Sequence, residues 1–191
     1  MINLAVVYHS DQGHTLQQAK AIAAGASEVS GVTAELFAVE QVVDQPSVLN
    51  DMDAIVFGSP TYLGNVSATF KAFMDATSPI WFAQQWEGKL AAGFTHSQSL
   101  GGDKLSTLIS MSIFAAQHGM IWVGQAQMNT SPPGAPGHPD AFNRTGTMLG
   151  AVAQTEAERT GQTLASGDLK TAWLLGERVA KYTRRVTAKA D

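Results

Sequence analysis

The sequence predicts an α/β fold: a three-layer sandwich whose five-stranded parallel sheet runs in the order 2-1-3-4-5, with helices on both faces. Three observations predict it. Strand-like apolar runs alternate with helix-spaced runs along the chain, the pattern that builds parallel sheets. The first and third strand-like runs are almost continuously apolar, as strands covered on both faces must be. A turn rich in hydroxyls and glycine follows the first run and leads directly into a helix-like stretch, which places the ligand-binding reversal of strand order after the first strand.

The elements follow in order. Strand-like runs are Ile2–Tyr8, Val32–Ala38, Ala54–Gly58, Leu90–Thr95 and Met120–Val123. In the first helical stretch Leu16, Ala19, Ile22, Ala23 and Ala26 form one apolar stripe, the spacing of a half-buried helix. Val66, Phe70, Phe73, Met74 and Thr77 repeat the pattern, as do Leu105, Leu108, Ile109, Ile113 and Ala116, with Gly119 as a stop. The last stripe is Leu169, Ala172, Trp173, Gly176, Val179 and Ala180. Arg178, Lys181, Arg184 and Arg185 fall toward its C-terminal end, where cations complement the helix dipole. Gln41–Asn50 has room for a turn or two of helix. Residues 124–150 carry Pro132, Pro133, Pro136 and Pro139 with little periodicity. So long a stretch without pattern reads as a lid or subunit-contact segment, or as a plain surface insertion.

Composition narrows the function. The 191 residues fit a single domain, 1–191, by the usual range of about 100–200 residues. There is no Cys, so disulfides, thiolate metal sites and Cys nucleophiles are excluded. The net charge of -4 lacks the basic footprint of a nucleic-acid binder, and no nucleic-acid partner is expected. No apolar segment is long enough to span a membrane and no signal peptide is evident; the expected location is the cytoplasm. A surface this sparing in charge, with 15% charged residues, suggests that part of it is hidden in a homo-oligomer, a dimer or tetramer.

The strand order singles out three loops, 9–15, 59–65 and 95–103, at the carboxyl ends of the central strands. The first is His9-Ser10-Asp11-Gln12-Gly13-His14-Thr15. A strand, a glycine turn and a helix start gather unpaired N–H groups around one point, a ready anion site. It holds no Lys or Arg, and a triphosphate loop needs its Lys. A single terminal phosphate fits better, as on flavin mononucleotide (FMN). In the second loop, Pro60 stiffens the strand exit, Gly64 lets backbone approach a ligand, and Asn65 is a candidate N-cap. Thr61 could bond the edge of a flat ring, with Tyr62 against its face; an ordinary strand-to-helix turn explains the same residues. In the third loop, Thr95, Ser97, Ser99, Gly101 and Gly102 offer a second patch of donors, or simply cap a helix. All three loops are poor in charge, as a neutral aromatic cofactor requires.

Several motifs are missing. There is no G-x-G-x-x-G dinucleotide turn and no G-x-S-x-G nucleophile elbow. The third strand ends in Gly58-Ser59 rather than an acid, against a phospho-accepting receiver. No His/Asp/Glu spacing suggests zinc. His118 precedes Gly119 and suits a helix C-terminus, and Trp81 lies among Ile80, Phe82 and Trp86 in a cluster that ordinary packing would also explain.

The motifs Ser10-x-x-Gly13-His14-Thr15, Gly58-Ser59-Pro60-Thr61-x-x-Gly64-Asn65, Phe73-x-Asp75-x-Thr77, Trp81 and His118-Gly119-Met120 resemble those of the flavodoxin-like superfamily. Within it the chain is similar to the NAD(P)H:quinone oxidoreductases of the tryptophan-repressor-binding-protein (WrbA) type. The likeness runs from Ile2 to about Val123 and resumes weakly at Gly146-Thr147-x-x-Gly150-Ala151 and in the last helix. It implies that Ser10, Gln12, Gly13, His14 and Thr15 hold the FMN phosphate. It assigns Pro60, Thr61, Tyr62, Gly64 and Asn65 to the ribityl chain and ring, and Thr95, Ser97, Ser99, Gly101 and Gly102 to the ring's other side. His118 would sit beside the flavin as the catalytic residue, and Trp81 would wall the substrate pocket. The resemblance also implies tetramers whose sites are closed by adjacent subunits. The chain departs from the family in three places: Gln12 replaces a common aromatic, the insertion between Gln41 and Asp51 is short, and a Pro-rich segment, 130–143, replaces a more regular loop. The expected activity is FMN-dependent transfer of two electrons from NAD(P)H to quinones. The alternatives are a flavodoxin-type electron carrier, an FMN, azo- or nitro-reductase, and a non-enzymatic FMN-binding scaffold.

Overall fold

Strand β1 (Ile2–Tyr8) is apolar at nearly every position because helices cover both its faces. A computed structural model, describing residues 1–155 and 163–188, buries Leu4 and Val6 against one helical layer and Ala5 and Val7 against the other. β1 pairs in parallel with β2 (Val32–Ala38) on one side and β3 (Ala54–Tyr62) on the other. β5 (Leu90–Ser97) continues the sheet beyond β3. The chain meanwhile forms α1 (His14–Ser27), the short α2 (Val39–Val42), a 3-10 turn at Pro46–Leu49, α3 (Ala68–Ala76), α4 (Ser78–Phe82), α5 (Lys104–Gln117) and α6 (Ser166–Thr187). Helices α1 and α6 cover one face, where Ile22, Ala172 and Leu175 pack on Leu4 and Val56; α3 and α5 cover the other, where Phe70, Phe73 and Phe114 pack on Phe57.

The order of the five long positions, 2-1-3-4-5, is as the sequence predicts, but the sheet holds seven strands rather than five. Two local events account for the difference. β3 runs four residues past Gly58 to Tyr62 and turns back through Leu63-Gly64 into β4 (Asn65–Val66), an antiparallel hairpin. Asn65 is therefore a strand residue, and the cap of α3 is Ser67, whose hydroxyl accepts the Phe70 N–H at 3.2 Å. The edge strand comes in two pieces: β6 (Ile121–Trp122) pairs with Leu90–Ala91, and β7 (Ala151–Gln154) pairs with Phe94–Ser97.

Residues 123–150 are the excursion between those pieces, and they lie against α6. Asn143 donates its backbone N–H to Thr171 Oγ1 at 2.8 Å, and Gln125 Nε2 donates to the Thr171 carbonyl at 3.0 Å. Arg144 forms a two-point bridge to the buried Asp168 of α6, Nε to Oδ1 at 2.8 Å and an NH₂ group to Oδ2 at 2.6 Å. Asp168 also accepts the Gln154 N–H, and Gln154 accepts from Lys104 of α5. This polar chain ties the excursion, β7, α5 and α6 together. No helix among the described residues is long and apolar enough to cross a membrane.

Helices α1 and α6 touch at two glycines. A Cβ on Gly25 would lie 2.0 Å from the Trp173 carbonyl oxygen, and one on Gly176 would lie 2.0 Å from that of Ile22. Backbone cannot yield as a side chain can. Gly176→Ala should therefore push the helices apart and cost about 1–3 kcal/mol. Urea unfolding measures it; an unchanged midpoint would mean that the helices are not in backbone contact.

Candidate flavin site

The three loops meet where the sheet order reverses, around a cavity of about 310 Å³. Asp11, Gln12 and His14 line it from the first loop, Pro60, Thr61 and Tyr62 from the end of β3, and His96, Ser97 and Gln98 from the end of β5, with Thr155 beyond β7. A second cavity of about 280 Å³ shares His14 and Thr155 with it and extends past Arg144 and Pro139.

The first loop is shaped to start a helix without a side-chain cap at its N-cap residue. Gly13 sits there with φ +87, in the left-handed region, and a Cβ on it would meet nothing within 4 Å. The turn itself thus demands glycine. Ser10 Oγ accepts the Leu16 N–H at 3.1 Å, satisfying one of the helix's first donors from outside. First-turn N–H groups have no acceptor within their own helix, and the positive end of the dipole lies there. His9 stands apart: its Nδ1 bonds Ser67 Oγ at 2.8 Å, fastening β1 to the start of α3.

Beneath the cavity is a ladder of buried hydroxyls. Thr95 donates to the Ser59 carbonyl at 2.7 Å, and Thr61 bonds both Thr95 and Thr107 at 2.8 Å. Thr95 is fully buried, so its hydroxyl supports the floor, while Thr61 belongs to both floor and wall. Tyr62 is 44% exposed at the rim; its hydroxyl bonds Asp11, and burial, then the Asp11 charge, raises it above the usual phenol range. Ser97 donates to the Ser99 carbonyl at 3.2 Å. A Cβ on Gly102 would lie 2.1 Å from Ser97 Oγ, so the third loop is a tight turn. Ser99 and Gly101 accept from Lys104 at its foot, and a Cβ on Gly64 would lie 3.7 Å from that of Asp103.

His96 also lines the cavity, a place that sequence reasoning missed. Its Nε2 bonds Thr15 Oγ1 at 3.1 Å, its ring lies 5.4 Å from that of His14, and its buried Nδ1 has no partner. Burial, then His14, then Lys104 push it down to about 3. Strand alternation was the available signal: His96 stands between Thr95 and Ser97, on the opposite side of β5 from the buried Thr95. Lys104, also almost wholly buried, is pushed down to about 8, chiefly by burial.

Of the expected site residues, Gln12, His14, Pro60, Thr61, Tyr62 and Ser97 line the cavity. Ser10, Gly13 and Thr15 frame it, and Gly64, Asn65, Ser99, Gly101 and Gly102 form the flanking turns. Trp81 and His118 lie elsewhere. α3 and α5 both run back from the loops, so their far ends reach the opposite edge of the sheet. His118 is 1% exposed there. It bonds Thr77 Oγ1 through Nε2 at 2.9 Å, and its ring lies 4.5 Å from that of Trp86. A catalytic place for His118 beside a flavin of its own chain is thus corrected: the helix length carries it away.

A cradle of N–H donors, hydroxyls and one aromatic rim, without Lys or Arg among its described lining residues, fits a neutral ring bearing one phosphate. Fold and site together define a flavodoxin-like protein of the FMN class. The comparisons agree. The family model of the NADPH-dependent FMN reductases matches residues 4–132. Flavodoxin FldP of Pseudomonas aeruginosa is 41% identical over 98% of this chain and 100% of its own length. An NAD(P)H dehydrogenase (quinone) of Archaeoglobus fulgidus is 33% identical over 97% and 100%. The crystal structure of a flavodoxin, WrbA-like protein from Agrobacterium tumefaciens superposes with a TM-score of 0.73 at 38% identity, covering 97% of this chain and 99% of that one. The chain belongs to the NADPH-dependent FMN reductase family, as a flavodoxin-like FMN oxidoreductase of the WrbA type.

Burial holds His118 down to about 4 and, with its charged neighbours, His96 to about 3, so each is neutral in the folded chain where the unfolded chain takes up a proton. Stability should therefore fall as pH drops from about 6.5 toward 4, by up to about 1.4 kcal/mol per unit for each histidine. Urea midpoints at about pH 7 and 5 test this: His118→Gln should flatten the slope, and a slope equal to wild type would mean that His118 is already charged.

Proposed function

We propose that this protein transfers two electrons from NAD(P)H to quinones through FMN held in the three-loop cavity. The observation that carries the reading is the cavity at the tip of β1, without Lys or Arg among its described lining residues, with a helix N-terminus at one end and Tyr62 at the other. FMN supplies the redox chemistry when bound, accepting two electrons from a nicotinamide and passing them on. The chain's own residues bind and orient. Gln12, Gly13, His14 and Thr15 would hold the phosphate, with Ser10 bracing their turn. Pro60, Thr61, Tyr62, Gly64 and Asn65 would hold the ribityl chain and one side of the ring. Ser97, Ser99, Gly101 and Gly102 would hold the other side, with Thr95 as its floor. Donors at the start of α5 would stabilise negative charge developing on the ring.

Trp81 can serve a substrate pocket only as the contribution of a second copy. It is 43% exposed and its neighbour Phe82 85%, at the sheet end away from the cavity. Leu105, Ile109 and Ile113 add an exposed apolar row along α5. Such a surface supports a homo-oligomer.

A second reading is an electron carrier, favoured by the 41% identity to flavodoxin FldP. The net charge of -4 and the added cavity beside the first favour the enzyme. Anaerobic mixing of the FMN-loaded protein with NADPH separates the two. An oxidoreductase loses its yellow colour without another protein and then turns over benzoquinone repeatedly; a carrier stays oxidised. Tyr62→Ala, which removes the aromatic face, should weaken FMN binding about tenfold by fluorescence titration. Unaltered affinity would place the ring elsewhere.

A further inference from the structure

Two histidines of this chain make the same contact. His118 bonds Thr77 Oγ1 through Nε2 at 2.9 Å, and its Nδ1 is buried without a partner among the described residues. His96 bonds Thr15 Oγ1 through Nε2 at 3.1 Å, and its Nδ1 is likewise buried without a partner. Burial, foremost, keeps both rings neutral, His118 at about 4 and His96 at about 3. A neutral imidazole carries one N–H, and the bonds its two nitrogens make decide which of them bears it. At His118 the choice is fixed within the chain. Thr77 gives its hydroxyl proton to the Met74 carbonyl at 2.7 Å, so it can only accept from the ring, and Nε2 bears the proton. Nδ1 is left there as an unused acceptor, a commoner orphan in protein interiors than a buried N–H without an acceptor.

The same preference at His96 puts the proton on Nε2, which then donates to Thr15 Oγ1. The hydroxyl proton of Thr15 now needs an acceptor of its own. Thr171, Thr183 and Thr187 of α6 give theirs to the carbonyl four residues back. Thr15 stands in the first turn of α1, four residues after Asp11 of the loop, and among the described residues no acceptor receives its proton. It is also 1% exposed, so bulk water is a poor substitute. We propose that His96 is a positioning residue: it donates through Nε2 to Thr15 Oγ1, and so makes the Thr15 hydroxyl a donor to a phosphate oxygen seated on the first loop. The inference rests on the FMN reading above, and it assigns to these two residues part of the choice of a phosphorylated flavin over an unphosphorylated one. The relay moves no proton. It fixes the direction of two hydrogen bonds, the second of which ends on an anion and gains strength from its charge.

The test begins with the wild-type chain. Imidazole nitrogen shifts of its FMN complex, read by NMR, should show His96 neutral with its proton on Nε2, the form His118 takes in the same spectrum. A proton on Nδ1 of His96, or on both nitrogens, overturns the inference. Fluorescence titration with FMN and with riboflavin, which lacks the phosphate, gives a second reading. Thr15→Val should lower the preference for FMN over riboflavin about tenfold. His96→Leu should lower it by a similar factor and add little to Thr15→Val, because both remove one relay. His96→Gln, whose amide N–H can still donate to Thr15, should restore most of the preference. Equal losses for FMN and riboflavin, or losses that multiply in the double variant, mean that His96 acts by packing alone; they overturn the inference and leave the cofactor reading standing. Failure of the wild-type chain to bind FMN removes both.

Discussion

The seat of α1 is the constraint on which the rest depends. β1 is paired on both edges and covered on both faces, so the chain leaving it can only rise over the sheet's end and return as a helix. Its return path is fixed by α6, whose backbone meets that of α1 at Gly25 and Gly176 with no room for a methyl group. A helix held by backbone contact cannot slide to suit a neighbour. The start of α1, with Gly13 in the left-handed conformation, is therefore held at the reversal of strand order between β1 and β3. The site is a consequence of this packing, and the loops beside it need only complete it.

Completion is achieved with few charges. Ser59, Thr61, Thr95 and Thr107 satisfy one another beneath the cavity, which lets the ends of β3 and β5 be polar and still buried. A buried hydroxyl network with every member bonded is rigid, whereas a half-satisfied one would be costly. The upper side is left to the side chains that line the cavity, among them Tyr62, His14 and His96. The Lys104–Gln154–Asp168–Arg144 chain plays a similar part at the back. It uses ionic groups to attach the Pro-rich excursion to α6.

Much of this was legible in the sequence. The almost unbroken apolar runs of β1 and β3 gave away a doubly covered parallel sheet, and the glycine-hydroxyl turn after β1 marked the binding end. What was hidden depended on pairing rather than on pattern. β7 is four residues, Ala151–Gln154, too short for periodicity, and exists because Phe94–Ser97 presents an unpaired edge. The hairpin at Leu63-Gly64 was hidden because Leu is an unusual residue at φ +47, where Asn or Gly is the expected signal. His96 was hidden because spacing along the chain reveals metal ligands and capping residues but not ring contacts between distant loops. Its actual neighbours, Thr15 and His14, lie far away in the chain.

His118 and Trp81 show where motif and geometry part. Both fall in motifs shared with WrbA-type enzymes, yet helices α3 and α5 carry them to the end of the sheet remote from the loops. Their environments differ in a way that matters. His118 is enclosed, bonded to Thr77 and in tilted ring contact with Trp86, so it is buried within one chain. Trp81 and Phe82 are open to solvent, and an exposed tryptophan beside an exposed phenylalanine has area left to bury. Only the second kind of residue can act at a distance from its own active site, by meeting the cavity of another copy. In the oligomer proposed above, the sheet end that displays the aromatics would meet the three-loop cavity of another copy, and so bring together what the fold of one copy separates.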